Sequence, residues 1–247
     1  MLTSTFIHAQ GIGLATEKRI WESGASDWLK FVEMQSEIGL SYRQLALLSP
    51  VVEESITRFD AGDYAYFAEC LPKREHWRAF GELGDRAAYL DIETTGTSLG
   101  DGITVVGIYN GKTTKSFIKG FNLESFADEL KKYPLVITYA GSTFDIPHLL
   151  HAFPGTKIDQ LHIDLCPTLH RLGYKGGLKH IEHVLGLERQ DEIAGLSGWD
   201  AVRLWREWEY GSKDALDTLV EYNRADVENL KTLAEFAYTG LRHAHMG

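Results

Sequence analysis

The pair Asn110-Gly111 stands between two runs rich in β-branched residues, Ile103-Thr-Val-Val-Gly-Ile-Tyr109 and Lys112-Thr-Thr-Lys-Ser-Phe-Ile118. Both residues of an Asn-Gly pair tolerate positive φ, and between two such runs the pair is the strongest short-range hairpin signal. A third run, Ala87-Ala-Tyr-Leu-Asp-Ile-Glu93, precedes them and ends at the turn Thr94-Thr-Gly96. Three antiparallel strands in sequence order are therefore predicted. After them come a helix capped by Asn122 with Leu123, Phe126 and Leu130 on one face, then a buried strand, Leu135-Val-Ile-Thr-Tyr139. A helix from about Phe144 and a short strand, Leu161-His-Ile-Asp-Leu165, follow. Strands first and helix-strand units afterwards predict an α/β fold, a mixed sheet flanked by helices.

The residues before this block have a different texture. Residues 1–84 read as a small, mostly helical region, residues 85–240 as the α/β domain and residues 241–247 as a tail. Gly11-Ile-Gly13 before Thr16–Trp21 reads as a plain turn that packs Trp21 and Trp28. The competing reading is one limb of a helix-hairpin-helix, whose amides would cradle a phosphate at a helix start. Tyr64, Tyr66, Phe67, Leu71 and Trp77, with charges between them, predict amphipathic helices laid against the α/β domain.

Composition narrows the class. With 44% hydrophobic and 24% charged residues, the 247-residue chain has apolar material for a sizeable core. Cys70 and Cys166 have neither zinc spacing nor a disulfide framework, and no apolar run approaches the ~20 residues of a membrane span. The start, Met1-Leu-Thr-Ser-Thr-Phe-Ile-His8, has neither a basic head nor an apolar stretch, so a reducing cytoplasm is the expectation. A net charge of -10 argues against a surface coated with phosphate-binding lysines. It leaves room for an acidic cluster whose bound cations would meet a phosphate.

Such a cluster is legible. Asp91 and Glu93 are two apart on a strand and share a face with Tyr89, while Leu90 and Ile92 turn away. Crowded carboxylates repel and lose solvation unless a cation joins them; otherwise the two lie on a solvated face. Asp145 follows the loop Ala140–Phe144, near a helix start, where an acid also gains from capping and the helix dipole. Leu219, Tyr222, Asp226, Leu230 and Leu233 form one helical stripe with a carboxylate at its centre. Asp226 therefore needs an arginine, a capped end or a metal, and Arg224 lies on another face. Four such carboxylates suit two divalent cations, Mg²⁺ or Mn²⁺, with Tyr222 one turn away to orient a water.

Asp91-Ile-Glu93-Thr-Thr-Gly96, Phe144-Asp145 and Tyr222-Asn-Arg-Ala-Asp226 resemble the three exonuclease motifs of the DEDD superfamily, in its tyrosine branch. The chain also resembles the bacterial YprB-like group of ribonuclease H-like proteins along nearly its whole length. Gly11–Gly13 with Trp21, Leu161–Leu165, Leu178–Gly186, Arg189–Gly195 and Tyr222–Val227 carry that likeness. It implies a ribonuclease H-like sheet of three antiparallel strands followed by helix-strand units, and a metal-dependent 3′-to-5′ exonuclease. One departure is that Ala140 stands before Gly141, where the second motif often carries Asn. The expected partner is nucleic acid with a single-stranded 3′ end, and Asp91, Glu93, Asp145 and Asp226 would hold the metals. Thr94, Thr95 and Phe144 would touch the terminal nucleotide. Arg171, Lys175 and Lys179, in the basic glycine-rich stretch His170–His180, would grip the strand. Asp164 reads as a local backbone partner, His148 and His151 as surface residues. A ribonuclease H-type endonuclease and a binding protein without activity are the alternatives.

Overall fold

The computed structural model describes residues 1–187, 189 and 191–246. Gln190 of the Arg189–Gly195 segment and Gly247 of the tail lie outside them. Strand β1 (Ala87–Thr94) is buried on both faces except at Asp91, as a central strand must be. It pairs antiparallel with β2 (Ile103–Tyr109), which pairs antiparallel with β3 (Thr114–Ile118). On its other side β1 runs parallel to β4 (Leu135–Thr138), and β4 runs parallel to β5 (Leu161–Asp164). The five-stranded order is β3-β2-β1-β4-β5. The expected mixed sheet is therefore present.

The hairpin forms by a different turn from the one the Asn-Gly pair suggests. Gly111 has positive φ, but Asn110 does not. The Asn110 side chain instead accepts from the amides of Lys112 and Thr113, at 3.0 and 2.9 Å. A side chain that closes the turn on itself removes the need for a left-handed asparagine. Lys112 and Thr113 thus join the turn, and β3 starts at Thr114.

Helices cover both faces. Five lie before the sheet: α1 (Leu14–Glu22), α2 (Trp28–Met34), α3 (Tyr42–Asp60), α4 (Ala65–Cys70) and α5 (Phe80–Leu83). Between strands come α6 (Phe126–Leu130) and α7 (Asp145–Ala152). After β5 run α8 (Leu165–His170), α9 (Leu178–Val184), α10 (Asp191–Ala194), α11 (Gly198–Glu209) and α12 (Lys213–Met246). On one face of the sheet Leu90, Ile92 and Val136 pack with Phe126 and Leu149 of α6 and α7. On the other, Tyr89 and Ile137 pack with Leu230 and Leu233 of α12 in a core that also takes in Phe6, Phe31, Phe67 and Trp77. The helical region and the sheet therefore share one apolar interior. With 34 residues, α12 is about 51 Å long at 1.5 Å per residue, and it continues unbroken through residues 241–246 with Leu241 buried.

Gly13 caps α1, and the only regular element before it among the described residues is a three-residue turn of 3-10 helix, Leu2–Ser4. Gly11–Gly13 is thus not the joint between two helices, and the helix-hairpin-helix reading falls. The plain-turn reading holds: the Trp21 and Trp28 indoles donate to the carbonyls of Ser4 and Thr5, at 2.8 and 2.7 Å. Below them Arg78, fully buried, pairs with Glu17 and Glu75, each at 2.9 Å. Glu17 also accepts from the Phe6 amide at 2.7 Å, so the ionic group ties the first residues to the segment that leads into β1.

The loop after β4 delivers Asp145 to the start of α7. After β4 the chain turns at Ala140, the one non-glycine residue with positive φ (59°) among the described residues. Asp164 at the end of β5 holds the turn by accepting from the amides of Ala140 and Ser142, at 2.8 and 3.0 Å. It also caps α8 through Cys166 at 3.1 Å, so the reading of Asp164 as a backbone partner holds. At Gly141 a Cβ would collide with the Thr138 hydroxyl. Neighbouring substitutions should therefore have opposite signs. Ala140→Gly relieves the left-handed strain and should raise stability by about 0.5–1 kcal/mol. Gly141→Ala should lower it by about 1–3 kcal/mol. Thermal unfolding reads both, at about 2–4 °C per kcal/mol for a chain of this size.

Candidate active site

β1 and α12 build the floor of a cleft. Asp91 faces Gly107 on β2, where a Cβ would collide with the side-chain oxygen of Asn223 on α12. The missing side chain lets Asn223 come down onto the strand. Its amide donates to the Asp91 carboxylate at 2.9 Å and to the Asp91 carbonyl at 3.3 Å. Three residues further along α12, Asp226 completes a group with Asp91 and Glu93 in which one carboxylate oxygen from each lies within 4.8 Å of the others. Asp145, the first residue of α7, lines the same cleft but stands outside this group. Its carboxylate accepts from the Ile92 amide at 3.2 Å and so braces β1 between the two acids.

Burial raises the proton affinity of all four. Asp91 and Glu93 are pushed well above the usual carboxylate range, by burial first and then by the charges of Asp226 and Asp145. Burial lifts Asp145 to about 7, against the pull of its own amide and that of Ile92. Burial lifts Asp226 to about 6, with Arg189 opposing. Hard, crowded oxygen donors of this kind are those that suit a small divalent cation.

The partner Asp226 required is Arg189, which sequence reasoning missed. Arg189 pairs with Asp226 and, at 2.7 Å, with Glu182 on α9, which also accepts from Asn229 of α12 at 2.9 Å. Arg224 points elsewhere, to Glu221 at 2.9 Å. Arg189 and Glu182 both lie in segments that carry the family likeness, and that was the available signal; their joint role needed the fold. Asn223 was similarly visible inside the Tyr222–Asp226 motif. Over the Tyr222 ring lie two cations, Lys179 Nζ at 4.4 Å and Arg189 Cζ at 5.7 Å from its centre. Burial, then Asp226, Glu93 and Asp91, raise the Tyr222 hydroxyl, which therefore stays protonated and able to donate.

The other predicted residues divide. Thr94, Phe144 and Lys179 line the cleft, which has a volume of about 560 Å³. The Thr94 hydroxyl donates to the Gly96 carbonyl and that of Thr95 accepts from the Gly102 amide at 3.0 Å, so both close the loop after β1. Arg171 is not in this cleft. It pairs with Glu75 at 3.3 Å and lines a separate cavity of about 590 Å³ with His76 and His162. Lys175 is exposed and lines neither cavity. His148 is a correction: it is buried, with its ring nitrogens 2.7 Å from the Phe144 carbonyl and 3.1 Å from that of Ser98. Its spacing with His151 suggested surface because helix α7 turns one side inward against the loop after β1.

A family model of the RNase_H superfamily matches residues 88–238. The chain belongs to that superfamily. Among solved structures, the family B DNA polymerase from the hyperthermophilic archaeon Pyrobaculum calidifontis is similar, with a TM-score of 0.50 and 17% sequence identity. The likeness covers 61% of this chain and 24% of the polymerase, so the chain accounts for about a quarter of that protein and shares its fold there. No curated protein matches the chain. Among the described residues no helix is long and apolar enough to cross a membrane.

The raised acids make stability depend on pH in a definite sense. Folded Asp145 and Asp226 hold protons up to about 7 and about 6, whereas the unfolded chain releases them in the ordinary carboxylate range. Between those limits the folded state carries more protons, so stability is highest at the acid end and is lost as pH rises. Buried His8 and His162, lowered to about 4, act in the opposite sense below the ordinary imidazole range, so the share of Asp145 is read as a difference. In EDTA the unfolding midpoint of Asp145→Asn should gain on that of the unaltered chain from pH 5 to pH 8, and a difference that stays constant or shrinks would contradict the assignment.

Proposed function

We propose that the chain is a metal-dependent 3′-to-5′ exonuclease of the tyrosine-type DEDD class that hydrolyses phosphodiester bonds of single-stranded nucleic acid. The observation that carries this reading is the meeting of Asp91, Glu93 and Asp226 oxygens within 4.8 Å, beside Asp145 and beneath Tyr222. Asp91, Glu93, Asp145 and Asp226 would hold two divalent cations, Mg²⁺ or Mn²⁺. When bound, such ions stabilise the attacking and leaving oxygens of an in-line displacement.

The chain's own residues supply the rest. Asn223 fixes the Asp91 carboxylate, as outer-shell partners fix metal ligands. Arg189 neutralises Asp226 and is itself held by Glu182. The protonated Tyr222 hydroxyl donates toward the attacking water and orients it. Lys179, whose ammonium has no hydrogen-bond partner among the described residues, meets the phosphate. Thr94, Thr95 and Phe144 shape the place of the terminal nucleotide, while Arg171 and Lys175 receive no role there. Residues 1–84 brace the nuclease domain by the shared core, and two free, separated cysteines suit a reducing cytoplasm.

End-labelled single- and double-stranded DNA and RNA, incubated with Mg²⁺ or Mn²⁺, test this reading. A ladder that shortens from the 3′ end and is absent with Asp226→Ala is the expected result. Internal cuts would replace it with an endonuclease, and binding without cleavage would overturn it. Asn223→Ala should cost about 10–100-fold in rate or metal affinity, the range for outer-shell partners, and added Mn²⁺ should restore part of it.

A further inference from the structure

Trp199 is the exception among the tryptophans of α11: Trp205 is buried and packs on Trp208 with ring centres 4.5 Å apart, whereas Trp199 is 71% exposed. It sits in the first turn of the helix, fixed there by the capping box of Ser197 and Asp200. Trp199 and Val202, three residues apart, face the cleft together. Tyr139, Phe144 and Leu178 add further apolar lining to that cleft, which Asp91, Glu93, Asp145 and Asp226 line as well. A large aromatic surface left open beside a cluster of carboxylates calls for a ligand that is flat and apolar at one end and anionic at the other.

We propose that Trp199 is the stacking platform for the unpaired terminal base of a nucleic-acid strand, and so selects single-stranded ends. The inference rests on the nuclease reading above for the identity of the strand. A nucleotide is the unit that joins an aromatic face to a phosphate, and stacking on an indole tolerates any base. The cleft, about 560 Å³, is in the range of sites that take one small molecule, about 300–1,000 Å³, and not of a groove for a base-paired end. Lys179 lines the same cleft, with its Nζ 4.4 Å from the centre of the Tyr222 ring, and would meet the connecting phosphate. Sequence reasoning missed Trp199, because an aromatic at a helix start looks like core until its exposure is known.

Binding can be measured without cleavage. A 5′-fluorescent single-stranded oligodeoxythymidine is titrated in EDTA with the full chain, with Trp199→Ala and with Trp199→Phe, and read by anisotropy. Trp199→Ala should weaken binding about 5- to 150-fold, the span of one base-aromatic stack. Trp199→Phe should keep most of the affinity, and both variants should keep the unfolding midpoint. A strand lacking its 3′-terminal base should bind the unaltered chain as weakly as the intact strand binds Trp199→Ala, with no further loss when the two changes are combined. Equal affinity of Trp199→Ala and the unaltered chain would overturn the proposal. So would losses that multiply when the two changes are combined, or no binding either in EDTA or with Ca²⁺ in its place. Binding through Trp199 with no cleavage in Mg²⁺ or Mn²⁺ would sink the exonuclease reading and leave this one standing. A 3′ ladder with an unchanged KM in Trp199→Ala would do the reverse.

Discussion

Three carboxylates, Asp91, Glu93 and Asp226, share a space between a central strand and a helix that would not hold three free charges. Much of the surrounding structure answers that repulsion. Arg189 brings a positive charge to Asp226, and Glu182 and Asn229 keep the arginine in place. Asn223 brings a neutral donor to Asp91, which is possible only because Gly107 has no side chain. Protons bound by the raised acids relieve the remainder, and a divalent cation would relieve it further.

The long helix α12 connects this charge arrangement to the body of the protein. Its middle carries Tyr222, Asn223 and Asp226 over β1 and β2, while its later turns join the core shared with the helical region. Trp77 meets Tyr238 and His245 there, with ring centres 6.2 and 5.2 Å apart. The buried Arg78 group with Glu17 and Glu75 anchors the first residues from the other side. The helical region thus packs on the same helix that carries Asp226.

Trp199 and Phe144 line the same cleft as the acids. The proposed reading separates two tasks, stacking of a base on the aromatics and charge handling by the acids. It also accounts for a chain with net charge -10 having a site suited to a polyanion. The attraction for phosphate would come from bound cations and Lys179, not from a basic surface.

Local pattern was sufficient wherever one element decided the outcome. Alternation in Ala87–Glu93 put Asp91 and Glu93 on one face, and the three- and four-residue spacing of Leu219–Leu233 marked the buried side of α12 with Asp226 within it. The order of strands and helices predicted the mixed sheet. Where several distant segments meet, the pattern was silent or misleading. The pairing of Arg189 with Asp226 joins residues that are 37 apart in the chain. Arg171, placed with Lys179 by its position in a basic stretch, turns instead to Glu75. His148 is buried because the loop after β1 folds over it, and the side chain of Asn110 closes its own turn. By itself the sequence determined the periodicities, and with them the faces on which the acids lie, because a side chain's direction follows from its position in its own helix or strand. Only the tertiary structure decided which cation, amide or aromatic each of those faces meets, because that depends on how separate elements pack.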